Sequence, residues 1–226
     1  METMFELMVA TITSPREAFR KMRENPRISS ALIFLLILGV LSAVSFSFSY
    51  SNLFSGILRS EPSIGADEFY GFFNQFIKVF LNSPFTFVLI IIGVYLSTFL
   101  MTALYDFIVQ FVLKKSNGIP LFIAFSFAQI PTLISQILIL ILSLLGNFQL
   151  SLIFSIIFVI WGIYLYALAI SEIYETNIGS AFGILFIPVV VGFIISIILS
   201  IFLVFPLMQI IAKIVPEIPA FPFFSP

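Results

Sequence analysis

The chain has 226 residues, of which 61% are hydrophobic and 9% charged, with ten Lys and Arg against eleven Asp and Glu for a net charge of −1. An ordinary soluble domain carries about 25% charged residues, so a soluble globular protein is excluded, and the near-zero net charge leaves no global field to gather nucleic acid. With no His and no Cys, disulfides, thiolate chemistry, imidazole acid/base catalysis and the usual zinc and copper sites lack their side chains, and neither a cofactor nor a metal is expected.

In chain order, Met4, Phe5, Leu7, Met8, Val9 and Ile12 predict a short apolar interfacial helix. Ser14-Pro15-Arg16-Glu17 then reads as a capping box: Ser14 caps, Glu17 reaches back to it, and Pro15 takes the first helical position, where its missing N–H costs nothing. Asn25-Pro26 stops this second helix, because the residue before a proline is pushed out of the α region. Ala18, Phe19 and Met22 form its apolar side. Arg16, Arg20, Lys21 and Arg23 spread over the rest, and together with Arg27 they account for five of the ten basic residues. This amphipathic segment is expected to lie on cytoplasmic headgroups, where anionic lipid attracts each basic residue by about 1 kcal/mol. The other use of the same cations is docking a cytoplasmic protein.

Five apolar runs follow, at about 28–50, 85–113, 119–145, 150–170 and 178–204. Each reaches the roughly 20 residues that a helix needs to cross a bilayer, and the first exceeds the roughly 7–15 residues of a secretory signal, so it is expected to be retained. The fold class expected is all-α: a polytopic membrane protein, one domain over 1–226, with five transmembrane helices in a bundle. Seven Lys and Arg (the N-terminal five, Lys114 and Lys115) fall on one side of such a bundle and Arg59, Lys78 and Lys213 on the other. That bias places the N-terminus in the cytoplasm and the C-terminus outside a cell membrane.

Between the first two spans, Phe69, Phe72, Phe73, Phe76, Ile77 and Phe80 recur at steps of three and four. They predict an outer interfacial helix over 66–83, or a lid on the outer bundle ends with the same stripe. The last stretch, 205–226, is a Pro-rich outer tail, expected to be extended beyond about Val215.

Polar groups inside the spans are costly, so each is a functional candidate. Thr98, Thr102, Asp106 and Gln110 recur every four residues on the second span. Counting outward from Asn117 brings Gln129 on the third span to the depth of Asp106 and predicts a hydrogen bond between them. Two readings stay open for this set. In one, Asp106 is the proton or cation site of a small transporter or channel subunit, with Thr102, Gln110, Gln129 and Gln136 along the path. In the other, the set is interhelical glue worth about 0.6 kcal/mol per bond, with Asp106 near enough to pair with Lys114 or Lys115. Glu172 and Glu175, at the cytoplasmic end of the fourth span, are expected to hold Arg27 or the N-terminal helix. Pro131 and Pro188 should kink or loosen their helices, and Gly179 and Gly183 offer a small-xxx-small stripe for close helix packing, within the chain or in a homo-oligomer.

The ordered set "SPREAFRKMRENPRISSALIFLLILGVLSA", "LKKSNGIPLFIAFSFAQIP" (113–131) and "IWGIYLYALAISEIYETNIGSAFGIL" (160–185) resembles the Yip family of Ypt/Rab-interacting membrane proteins in its short prokaryotic form. The resemblance implies a non-enzymatic integral membrane adaptor or membrane organiser, whose partners would be membrane lipids and a cytoplasmic protein. Eukaryotic relatives, associated with Rab GTPases and vesicle traffic, are similar in the membrane half and add a long cytoplasmic N-terminal region with an acidic Tyr-containing motif. This chain has about 27 residues there and no such motif.

Overall fold

The computed structural model describes residues 3–57, 83–145 and 148–214, and these are helical throughout apart from short connections, with no strand among them. The helices are α1 (Met4–Thr13), α2 (Pro15–Glu24), α3 (Ile28–Ile57), α4 (Pro84–Leu113), α5 (Gly118–Ala128), α6 (Ile130–Leu144), α7 (Phe148–Tyr174) and α8 (Ile178–Ile214). Apart from Ser83, the stripe at 66–83 lies outside the described residues, as does the chain from 215 on. The chain forms two compact units, Met1–Ile184 and Leu185–Pro226.

Five stretches are long and apolar enough to cross a bilayer: Ile28–Ser47, Pro84–Leu113, Gly118–Leu144, Ile153–Tyr174 and Ile178–Phe202. Their outward residues are apolar as well; on α7, Ile153, Ile156, Ile157, Val159 and Ile160 are all exposed. Water would not tolerate so broad an apolar girdle on a monomer, whereas hydrocarbon does. The chain is a multi-pass, all-α membrane protein.

The third span is two helices because of Pro131. Proline offers no N–H to the carbonyl four residues back and crowds it, so α5 stops at Ala128 and Gln129 (φ −82°, ψ 4°) turns its N–H to Ser126 O at 3.2 Å. The helix restarts at once, with Leu133 N–H on Gln129 O at 3.1 Å. Pro188, by contrast, leaves α8 continuous.

The short helix α5 is the centre of the first unit. It is buried on nearly every side, with Leu121, Ala124, Phe125, Phe127 and Ala128 fully covered, as expected of a helix that is apolar all round. The helices α2, α3, α4 and α7 pack against it. Phe127 stacks on Phe34 of α3 at 5.1 Å, and Phe125 meets Tyr105 of α4 and Tyr166 of α7 edge-on at 5.5 and 4.9 Å. The neighbouring pair α3 and α4 is tightly apposed at Gly39, where an added Cβ would stand 3.2 Å from the Ile91 Cα. Tyr95 OH also donates to Leu32 O across this pair, at 2.6 Å. Because the obstacle at Gly39 is backbone, Gly39→Leu is expected to destabilise the fold by about 1–3 kcal/mol through overpacking, read as a lower thermal midpoint in detergent, while Gly93→Leu, with nothing within 4 Å, leaves it unchanged.

Two N-terminal expectations are corrected. Ser14 makes no side-chain cap to α2. It already ends α1, its N–H on Ala10 O at 2.8 Å, and that role fixes its backbone (φ −146°, ψ 66°) away from the capping geometry. The capping box lies instead at Thr3 and Glu6, where Glu6 N–H donates to Thr3 Oγ1 at 3.3 Å and Thr3 N–H to Glu6 Oε2 at 2.7 Å. Second, the apolar side of α2 does not rest on headgroups: Ala18, Phe19 and Met22 are at most 1% exposed, because α2 packs on α5 and α7. It is α1 that turns an apolar stripe outward, through Phe5, Val9 and Ile12.

Candidate functional site

The charged end of the first unit is organised around two residues, Asp106 on α4 and Tyr174 at the end of α7. Lys114, which caps α4, adopts the left-handed conformation (φ 58°). That turn folds the 114–117 connection back alongside α4 rather than beyond it. Asn117 N–H therefore reaches Asp106 Oδ1 at 2.9 Å and Ser116 Oγ reaches Oδ2 at 3.0 Å. From the other side Tyr174, 2% exposed, donates its hydroxyl to the same Oδ1. Three donors thus converge on one carboxylate, and bonds of this charge-assisted kind are the stronger class.

The last turn of α7 is satisfied by side chains from other elements. Arg23 of α2 donates to Glu172 O at 2.9 Å, Asn117 Nδ2 to Ile173 O at 3.5 Å, and Lys115 Nζ to Tyr174 O at 2.7 Å. These carbonyls have no partner within their own helix, and two of the three donors are cations at the negative end of the helix dipole. Arg23 also pairs with Glu175 at 2.6 Å. Glu175 is itself left-handed (φ 51°), and the turn behind it closes through Thr176 N–H to Ser171 O (3.0 Å) and Ser171 Oγ to Thr176 O (2.6 Å). Arg23, Lys115, Ser116, Asn117 and Tyr174 line a cleft of about 300 Å³ at the centre of this clasp.

The expected bond between Asp106 and Gln129 is replaced by two others. Gln129 Nε2 donates to Thr98 Oγ1 at 2.8 Å, while Asp106 holds the connection and Tyr174. The depth count assumed that Asn117 sits beyond the end of α4, but the folded-back connection places it level with Asp106. Twelve residues onward along the third span then reaches Thr98, not Asp106. Nor do the lysines pair with Asp106: Lys115 goes to α7, and Lys114 Nζ lies over the Phe111 ring, 5.2 Å from its centre.

Thr98 and Thr102 are buried, with Thr102 Oγ1 bonded to Thr98 O at 2.8 Å, whereas Gln110 is exposed because the stripe drifts around α4. Of the five N-terminal cations, Arg23 is drawn into the clasp and Arg16, Arg20, Lys21 and Arg27 are exposed. The expectation that Glu172 and Glu175 fasten the N-terminal helix is met by Glu175, whose carboxylate pairs with Arg23, while Glu172 contributes its backbone carbonyl rather than its carboxylate. A Cβ on Gly183 would meet nothing within 4 Å, and one on Gly179 only the neighbouring Asn177.

Sequence reasoning missed Tyr174, Asn117 and Ser116. The available signal was a lone intramembrane carboxylate within reach of a polar Ser-Asn turn, with a phenol ending the adjoining span.

An all-helical chain with five spans and a clasped N-terminal helix pair defines an integral, multi-pass membrane protein. The family profile of the Yip1 domain matches residues 9–200, so the chain belongs to the Yip1 domain family, and the match takes in α2, the clasp and most of α8. Comparisons with curated proteins and with solved structures gave no match.

Proposed function

We propose that the protein is a non-enzymatic membrane adaptor, oriented with its clasped end in the cytoplasm of a cell, that docks an acidic protein surface through the basic face of α2. One observation carries this reading: the apolar side of α2 is spent on the bundle while Arg16, Arg20 and Lys21 on α2, and Arg27 just beyond it, are exposed. A cationic helix that inserts into lipid needs its apolar side for the membrane; one held rigidly by protein presents charge alone, at little ordering cost on binding. The orientation rests on the basic bias, since Arg23 and Lys115 meet at the same last turn of α7 and so bring the seven-cation side together.

The test is capture of cytosolic protein by the full chain in neutral phosphatidylcholine nanodiscs. Changing Arg16, Arg20, Lys21 and Arg27 together to Gln is expected to weaken capture about tenfold or more and to remove its salt dependence. Capture that persists in the quadruple variant contradicts the reading, and so does a parent chain that retains no protein. Proton or cation flux in reconstituted vesicles that disappears in Asp106→Asn would favour a transporter instead.

A further inference from the structure

Asp106 also faces a groove that shares no lining residue with the cleft of the clasp or with α2. Beside α4 and α5 runs this open groove of about 440 Å³, within the roughly 300–1,000 Å³ of ordinary small-molecule sites. Its walls are mostly apolar, with Phe99 and Ala103 from α4, Ile119 and Phe122 from α5 and Ile28 from α3; Thr102 also lines it, its hydroxyl donated to Thr98 O. Phe99 and Ile119 are more than half exposed, so a chain lying in the groove would also touch bulk lipid.

The polar end is the Asp106 carboxylate. Gly118 keeps it open, because a Cβ there would stand 3.4 Å from Oδ2, in contact. A carboxylate offers about four acceptor positions; among the described residues Asn117 and Tyr174 take Oδ1 and Ser116 alone takes Oδ2. One acceptor position on Oδ2 is left over. Ile28 and Gly118 are the first residues of α3 and α5, so this end lies at the level of the headgroups. Phe99, seven residues along α4, lies about 10 Å deeper.

We infer that the groove binds a membrane phospholipid with a primary ammonium head, of the phosphatidylethanolamine type, its ammonium on Asp106 Oδ2 and one acyl chain between Phe99 and Phe122. The choice of head follows from donor chemistry. A quaternary choline has no N–H to give, and the net negative charge of a phosphatidylglycerol head opposes the carboxylate. An ammonium supplies both donor and charge.

The full chain is reconstituted in bilayers with equal parts phosphatidylethanolamine, phosphatidylcholine and phosphatidylglycerol, and the lipid retained after gentle extraction is measured by native mass spectrometry. The protein is expected to retain phosphatidylethanolamine about tenfold over either competitor, the selectivity that one charge-assisted hydrogen bond supports. Asp106→Asn should erase the preference. Because that change also touches the clasp, Gly118→Leu and Ala103→Trp serve as groove-filling variants that keep the carboxylate, and both should lose the retained lipid. Retention that mirrors the bulk mixture, or a phosphatidylethanolamine excess that survives both groove-filling variants, overturns the assignment. Failure here leaves the docking reading intact, since α2 lines no part of the groove.

Discussion

Asp106→Ala is expected to destabilise the first unit by about 2–4 kcal/mol, the cost of removing the acceptor shared by the buried Tyr174 hydroxyl and the half-buried Asn117 N–H. The change strands the Tyr174 hydroxyl, the Asn117 N–H and the Ser116 hydroxyl together, and it releases the connection that starts α5, the central helix of the unit. Asp106→Asn is milder, at about 1–2 kcal/mol, because an amide oxygen can still accept where Oδ1 did. Tyr174→Phe should cost a similar amount, and the two positions should couple in a double-mutant cycle by about 0.5–3 kcal/mol. Thermal unfolding in detergent, followed by circular dichroism, reads all of these. An Asp106→Ala protein as stable as the parent would remove the carboxylate from its structural role.

Phe19→Ala is the second large effect. Phe19 is fully buried outside the membrane spans, where water still drives apolar burial, and truncating such a side chain costs about 3–5 kcal/mol. The loss should fall on the attachment of α2 rather than on the spans, because α2 meets the bundle through Ala18, Phe19 and Met22 plus the Arg23 clasp. Trypsin cleavage after Arg16, Arg20 and Lys21 should therefore accelerate strongly, while helicity stays near that of the parent. Arg23→Gln removes only the partly exposed ion pair and one carbonyl cap, so it should accelerate cleavage far less.

The membrane-spanning class was readable from the sequence because run length against bilayer thickness is a demanding criterion, and five runs meet it. The limits of α2 were readable too, since Pro15 and Asn25-Pro26 act on the backbone through purely local sterics. The partners of Asp106 were not. They depend on a left-handed turn at Lys114, a residue whose type does not announce that conformation, and this turn moves the return helix by about two turns relative to the simple hairpin. Ser14 misled for a related reason, because a residue shared by two helices cannot hold the capping geometry for one of them. Periodicity gave α2 an apolar side but not its cover, and protein rather than lipid covers it. Among the glycines, spacing drew attention to Gly179 and Gly183, while the close backbone approach is at Gly39, whose neighbour Ile91 is far away in sequence.

The most direct test of a docked, outward-facing cationic helix uses the absence of native cysteine. Arg20→Cys and Met22→Cys, made singly in the full chain, are treated with a membrane-impermeant maleimide in intact cells and in inverted membrane vesicles. The predicted result is labelling of Arg20→Cys in inverted vesicles only, with Met22→Cys protected in both until detergent and denaturant are added. Equal labelling of the two positions, or labelling of Arg20→Cys from outside intact cells, would contradict it.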